Sequence, residues 1–411
     1  MVIKAISRSK VGGKVTLSAQ VHFQGKKAER MCFTVEEKYG ELVSDSADAF
    51  LAAVLLPCMK TGEDIIVEGN VSQKFLENTE KIMDLVEGWK VGMRKVVIKS
   101  SSHKVIRSSG VSNVCASFFS AGVDSFYTYL KNKKSISHLI LVHGFDIPLG
   151  NTDFFGEVRR TVEDIAKEEK KEAVIVETNV ADIVEKRLIW DFAHGGALAA
   201  VALFLGDGLG KVFIPASVKK DNVFAYGTRP DLDPLWSTEA LQVVSDGSEY
   251  DRLGKVMHGV GQSPLALAHL RVCVQNIKGK YNCSSCYKCL QTMIELECAG
   301  TLQDASTFEK KLDLDLVSHM YYDYKLKYNV QGEANLEELR KQKRNPALQE
   351  AIAESLGSSK SPKPTKRAFQ IVASMDQKYN DRRLYRFVFG LTSRQDRNWL
   401  FKALLKRRIL K

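Results

Sequence analysis

Polar and apolar residues alternate over Lys14–His22 (KVTLSAQVH), the period of a half-buried strand. Gly25, Lys26 and Lys27 mark a turn, and residues 30–35 read as a second strand, so a hairpin is expected. Residues 47–56 form an apolar helical stretch and residues 63–68 a short strand. Phe75, Ile82, Leu85, Val86 and Trp89 keep helical spacing. Residues 1–105 gather no acid, base, nucleophile or metal ligands into a pattern. They read as an accessory or dimerisation domain of α+β type.

Polar residues 100–102 break the pattern, and from about residue 106 strands and helices alternate. Strands are expected over 114–119, 139–143, 173–177 and Lys211–Pro215, with helices over 122–131, 157–169 and 195–205. That alternation predicts an α/β domain with a doubly wound parallel sheet over 106–305, whose ligands bind beyond the carboxyl ends of the strands. Residues 306–411 read as a helical basic region. Within it, 335–356 is a charged helix, 357–364 (GSSKSPKP) a flexible linker, and 398–411 (NWLFKALLKRRILK) a basic amphipathic helix.

Charge sharpens this division. The 411 residues carry a formal net charge of +11. Residues 360–411 hold 15 basic and 3 acidic side chains, so this segment carries +12 and the rest of the chain −1. Aromatic residues, among them Phe369, Tyr385 and Trp399, are interleaved with the basic ones. Such a segment suits nucleic-acid phosphates, an acidic protein partner, or a small helical domain with a solvated basic rim. No run of 18 apolar residues predicts a membrane span, and the N-terminus lacks a signal-peptide pattern. The eight cysteines include three within one seven-residue window, which points to metal in a reducing, cytoplasmic setting and away from disulfides.

The sharpest motif is Ser117-Phe-Phe-Ser120-Ala121-Gly122-Val123-Asp124-Ser125, placed between a strand and a helix. Backbone N–H groups at a helix start, the helix dipole, small residues and hydroxyls all favour phosphate. The Walker pattern is absent. An acidic residue in such a loop repels phosphate unless a cation intervenes, so Asp124 implies Mg²⁺ or a capping role. The segment resembles the S-G-G-x-D-S signature of the PP-loop ATP pyrophosphatases, with Ala121 in place of the first glycine. Alanine disfavours positive φ, so an altered loop is expected there. The resemblance implies that Ser120, Ala121, Gly122, Val123, Asp124 and Ser125 cradle ATP phosphates. It implies that His143, Gly144 and Phe145, after the second strand, approach adenine. It also places Ser217 and Lys219 on a later phosphate-contacting loop, with Asp124, Ser125 and Lys219 as the catalytic candidates. A strand-end histidine held by its own surroundings is the plain alternative for His143.

Cys273, Cys283, Cys286 and Cys289 have the spacing C-x9-C-x2-C-x2-C, which suits a closed tetrahedral zinc site. An iron–sulfur cluster competes, but the fourth ferredoxin position, 293, is methionine. Cys298 reads as a core thiol. A PP-loop followed by this cysteine pattern resembles the 7-cyano-7-deazaguanine synthases over about residues 112–300. That resemblance implies ATP-dependent adenylation of a carboxylate, loss of pyrophosphate, and amide, nitrile or ligation chemistry on a deazapurine, peptide or protein. The flanking regions suggest a divergent relative of the kind found in bacterial anti-phage systems.

Residues 221–239 hold aromatic and hydrogen-bonding groups where such a synthase holds its base. Tyr226 or Phe224 would stack on a planar ring, Arg229 would pair with a carboxylate, and Asp231 and Asp233 would take an amino group or magnesium. A surface loop is the alternative, and His194, at the start of a buried helix, reads as structural. Two other functions stay open: a PP-loop tRNA-modifying enzyme gripping RNA with the basic segment, and a non-catalytic nucleotide-binding adaptor.

Overall fold

A computed structural model of the chain describes residues 1–103, 112–221, 224–276, 279–320 and 329–360. Residues 361–411, which include the expected basic helix and its aromatics, lie outside the described residues. The chain folds as two compact units. The first is Met1–Asn282 with Glu295–Glu309, and the second is Cys283–Ile294 with the described residues from Lys310 onward.

The strands are β1 Val2–Val11, β2 Lys14–His22, β3 Glu29–Glu36, β4 Ile65–Val71, β5 Ile98–His103, β6 Cys115–Phe118, β7 His138–His143, β8 Glu172–Thr178, β9 Lys211–Pro215 and β10 Gln242–Asp246. They form one sheet in the order β10-β9-β6-β7-β8-β3-β2-β1-β4-β5. The helices are α1 Asp48–Thr61, α2 Gln73–Glu87, α3 Val123–Asn132, α4 Thr152–Glu168, α5 Val180–Val184, α6 Trp190–Phe204, α7 Arg252–His258, α8 Pro264–His269, α9 Tyr287–Ala299, α10 Leu314–Ser318, α11 Asn329–Lys341 and α12 Pro346–Lys360.

β10-β9-β6-β7-β8 is wholly parallel and, numbered along the chain, reads 5-4-1-2-3. This is the strand order of a Rossmann-like α/β fold. Its topological switch point lies where β6 and β9 adjoin, so a crevice is expected between the loops that follow those two strands. β6 is buried at all four positions, as suits a strand covered on both faces.

Near residue 105, where the pattern suggested a boundary, the sheet and core run on. β3 pairs antiparallel with β8, with Phe33 opposite Thr178. The Asn179 side chain extends that ladder, accepting from Cys32 N at 2.9 Å and donating to Arg30 O at 2.8 Å. Phe33 packs on Phe50 of α1 and Phe204 of α6, with ring centroids 5.6 and 5.5 Å away. Gly196 lets α6 approach α1 closely, because a Cβ there would lie 2.8 Å from Ala52 O. The first 103 residues therefore share a core with the α/β region.

In the second unit, the charged segment expected as one helix is two. Arg344 lies between α11 and α12, flanked by Lys343 and Asn345, both in the left-handed region. Proline is well placed at the start of α12 and ill placed inside a longer helix. Asn345 Oδ1 accepts from Leu348 N at 3.2 Å and so caps α12. Helix α12 continues through Gly357 to Lys360, into the stretch expected to be linker.

Candidate active site and metal centre

The loop after β6 turns into α3 at the switch point. Phe119 N donates to Ile140 O at 2.8 Å, which ties the loop's entry to β7. Ala121 is buried and has φ of +57°, so it occupies the left-handed conformation that glycine would adopt freely. The cost is about 1–2 kcal/mol. The methyl group has thus not driven the backbone out of that region. Arg271 N donates to Ala121 O at 2.8 Å and braces the strained residue. Gly122 is the N-cap, and no side chain caps α3. The Ser125 hydroxyl turns back onto Gly122 O at 3.0 Å, and Ser120 is half-buried.

Asp124 stands in the first turn of α3 with its side chain 24% exposed. Its Oδ1 is 2.7 Å from Lys255 Nζ. Its Oδ2 is 3.4 Å from Ser217 Oγ and 3.9 Å from Arg252 Nη1. Lys255 also donates to the carbonyl of Ala216, the residue after β9, and is 1% exposed. Arg252 pairs in turn with buried Glu295 at 3.1 Å. Lys219, the lysine favoured from the sequence, is half-exposed and 4.0 Å from Asp221. Sequence reasoning missed Arg252, Lys255 and Glu295. The only local signal was two basic residues three apart on a short helix, which resembles an ordinary solvated face.

Local packing fixes α7 where it can reach Asp124. Asp251 Oδ1 accepts from Gly254 N at 2.8 Å and caps the helix. Tyr127 of α3 lies against Gly259, where a Cβ would come within 2.7 Å of its ring. The Tyr127 hydroxyl donates to Glu249 at 2.7 Å.

After β7, His143 is buried and stacks on Phe155 at 3.8 Å. Its Nε2 lies 3.2 Å from Pro148 O, and a carbonyl can only accept, so Nε2 carries the proton. Burial pushes its pKa down. These contacts fit the plain reading of His143. Gly144 has φ of +106°, and a Cβ there would fall 1.9 Å from Thr178 O. Phe145 meets Trp190 edge-on at 5.1 Å.

That ring pair continues an aromatic row along the start of α6. Trp190 and His194 are 6.1 Å apart, His194 and Tyr226 4.6 Å, and Tyr226 and Phe224 5.6 Å. His194 donates from Nδ1 to Trp190 O at 3.0 Å and accepts from the Thr228 hydroxyl at 3.3 Å. Burial lowers its pKa, and its two contacts tie the start of α6 to the loop at Thr228. Gly195 permits this approach, because a Cβ would lie 1.7 Å from Gly227 O.

The charged residues of this loop are engaged with one another. Arg229 grips Asp231 with two bonds, Nε–Oδ1 at 2.8 Å and Nη2–Oδ2 at 2.6 Å. Its guanidinium also lies over Trp89 at 5.3 Å. Asp233 is fully buried and accepts from Arg229 N at 3.0 Å. Burial pushes its pKa up to about 7. Asp233 therefore shapes the turn, and an external carboxylate would have to compete with Asp231 for Arg229.

Cys273, Cys283, Cys286 and Cys289 form a buried cluster whose Sγ atoms all lie within 4.8 Å of one another. Cys283 and Cys289 sulfurs are 3.9 Å apart. Sulfurs tetrahedrally bound at about 2.3 Å from one ion would stand at similar separations. Cys286 N donates to Cys283 Sγ at 3.2 Å, which favours a thiolate. The donor set fits zinc. Asn282 shapes the approach to Cys273, its Oδ1 accepting from Val272 N at 2.9 Å and Cys273 N at 3.2 Å. Cys298 is buried outside the cluster.

No helix among the described residues is long and apolar enough to cross a membrane. Comparison with family models, with curated proteins and with solved structures returned no match.

Proposed function

We propose that this protein activates a carboxylate with ATP, forming AMP and pyrophosphate overall, for amide, nitrile or ligation chemistry. The observation that carries this reading is the loop at residues 120–125. It lies at the switch point of a 5-4-1-2-3 sheet, opens a ten-residue helix without a side-chain cap, and sets Asp124 across from Ser217. A helix start of this kind suits a polyanion. Ser120, Ala121, Gly122, Val123, Asp124 and Ser125 would hold the phosphates, and the Asp124 carboxylate suits Mg²⁺, which when bound neutralises phosphate charge. Lys219 stands on the loop after β9 and would meet the departing pyrophosphate.

The aromatic row from Phe145 to Phe224 gives a planar ring stacking partners, and Arg229 would receive the substrate carboxylate by exchanging Asp231 for it. The acceptor is a small molecule, a peptide or a protein. The four cysteines would hold zinc as a closed structural site, which leaves no open position for chemistry.

The adaptor reading draws on the self-pairing of Arg229 with Asp231 and on Ala121 in the loop. The tRNA reading draws on the charge of residues 360–411 alone. Labelled ATP, Mg²⁺ and candidate carboxylate or protein partners separate these readings. AMP with pyrophosphate is the expected product pair, and ADP with orthophosphate overturns the chemistry. Nucleotide binding without turnover favours the adaptor. Steeply salt-dependent tRNA binding, lost on deleting 360–411, favours the RNA enzyme.

A further inference from the structure

We infer that Lys255 is the positioning residue of the nucleotide site, the group that orients the Asp124 carboxylate toward a polyphosphate-bound divalent cation. The inference rests on the nucleotide reading above and adds a residue that the loop motif does not contain.

A lysine ammonium is buried at high cost unless it is paired and hydrogen-bonded. Lys255, 1% exposed, has both kinds of partner: the Asp124 carboxylate and the Ala216 carbonyl. These come from the turn after β6 and the residue after β9, the two strands that border the switch point. One buried charge thus spans both loops from beneath.

The Ala216 carbonyl belongs to the backbone at the end of a buried strand, so it fixes where the Lys255 head sits. The head in turn fixes Oδ1 of Asp124 at 2.7 Å. The Asp124 side chain would otherwise rotate about its last torsion, where the energy wells are broad and its two oxygens exchange. With Oδ1 held, Oδ2 is the oxygen on the side of Ser217, which is exposed, and of Arg252. Glu295 engages the Arg252 guanidinium from buried surroundings and restrains it. Two cations and two carboxylates then balance beneath the loop, and an incoming polyphosphate would need only its own divalent cation.

The test is a double-mutant cycle on the affinity of a nonhydrolysable ATP analogue with Mg²⁺, measured by calorimetry on the full chain. Asp124→Asn and Lys255→Met are each expected to weaken binding at least tenfold. The double variant is expected to be no weaker than the weaker single variant, because both changes remove one function. Lys255→Met binding within threefold of the unsubstituted protein overturns the inference, as do losses that multiply in the double variant. Should Lys255→Met fail to fold, the double variant leaves no lone buried charge. Its affinity then supports the inference by matching Asp124→Asn, and overturns it by falling tenfold below. An unsubstituted protein that binds no analogue overturns the nucleotide reading itself, and this inference with it.

Discussion

Two charged clusters, one after β6 and one after β9, are built on opposite principles. Arg229, Asp231 and Asp233 lie within five residues and hold one another in a turn. Asp124 and Lys255 lie 131 positions apart and meet because α3 and α7 pack beside one another. The Arg229 cluster has an exposed rim and the Asp124–Lys255 pair is largely buried. The difference teaches where electrostatics is stiff. A local, half-solvated pair can open for a ligand at small cost, whereas a buried pair between distant elements constrains the loop above it.

The strongest way to break this contrast is Lys255→Met. It leaves the Asp124 carboxylate beside the cavity of its partner, and losing one member of a buried pair costs about 3–5 kcal/mol. Thermal melts should show a large fall in midpoint, with partial recovery in Asp124→Asn/Lys255→Met. A single variant as stable as the unsubstituted protein would mean that the two clusters do not differ in kind.

The next test uses pH. Burial raises the pKa of Asp233 to about 7, and of Asp48, at the start of α1, to about 7 as well. A carboxyl whose folded pKa lies above its unfolded value binds more protons in the folded state between the two. Stability then falls as pH rises through that window, from about 4 to 7. Asp233 Oδ2 is buried without a hydrogen-bond partner among the described residues, and the Arg229 N–H on Oδ1 offsets only part of the desolvation of the charged form. Melts at pH 5 and pH 8 should show lower stability at pH 8. Asp233→Asn keeps an acceptor for Arg229 N and should flatten the slope, by at most about 4 kcal/mol. An unchanged slope would place the titrating group elsewhere.

Legibility in the sequence follows the same contrast. β6, β7, β8 and β9 were visible because buried strands read as apolar runs, and Lys211–Pro215 matches β9 residue for residue, whereas β10, with a single buried position, was not foreseen. The phosphate loop and the cysteine cluster were visible because their chemistry is packed into short spacings. β1 was not foreseen, because most of its positions are exposed on both faces and carry lysine, serine and arginine, which leaves no alternation to read. The pairing of β3 with β8 could not be read, since nothing local records which strands adjoin. Lys255 was hidden for the same reason. Its partners are set by topology, and a lysine in a short helix ordinarily reads as solvated.

A smaller effect is expected at the Arg229 and Asp231 pair. Asp231 is about half exposed, and such pairs contribute about 1 kcal/mol or less. Asp231→Asn should barely move the melting midpoint while freeing the guanidinium. Apparent affinity for a carboxylate substrate should then rise, seen as a lower KM in the pyrophosphate-release assay. A midpoint shift as large as that of Lys255→Met would erase the distinction between the clusters.

The smallest expected effect is at Ala121. Replacing it with glycine relieves the left-handed strain of about 1–2 kcal/mol. Against this, glycine raises the entropy of the unfolded chain by about 0.4–1 kcal/mol, and removing a buried methyl group forfeits about 0.8 kcal/mol of transfer energy. The terms nearly cancel, so Ala121→Gly should leave the melting midpoint almost unmoved. Ala121→Val keeps the strain, adds a β-branch in a conformation that such residues rarely adopt, and has no space at a fully buried position. It should destabilise the fold by several times more. Near-neutrality of the glycine with a large valine penalty would mean that the backbone path after β6 is imposed by its surroundings, the Arg271 N–H among them, and is independent of the residue carried there.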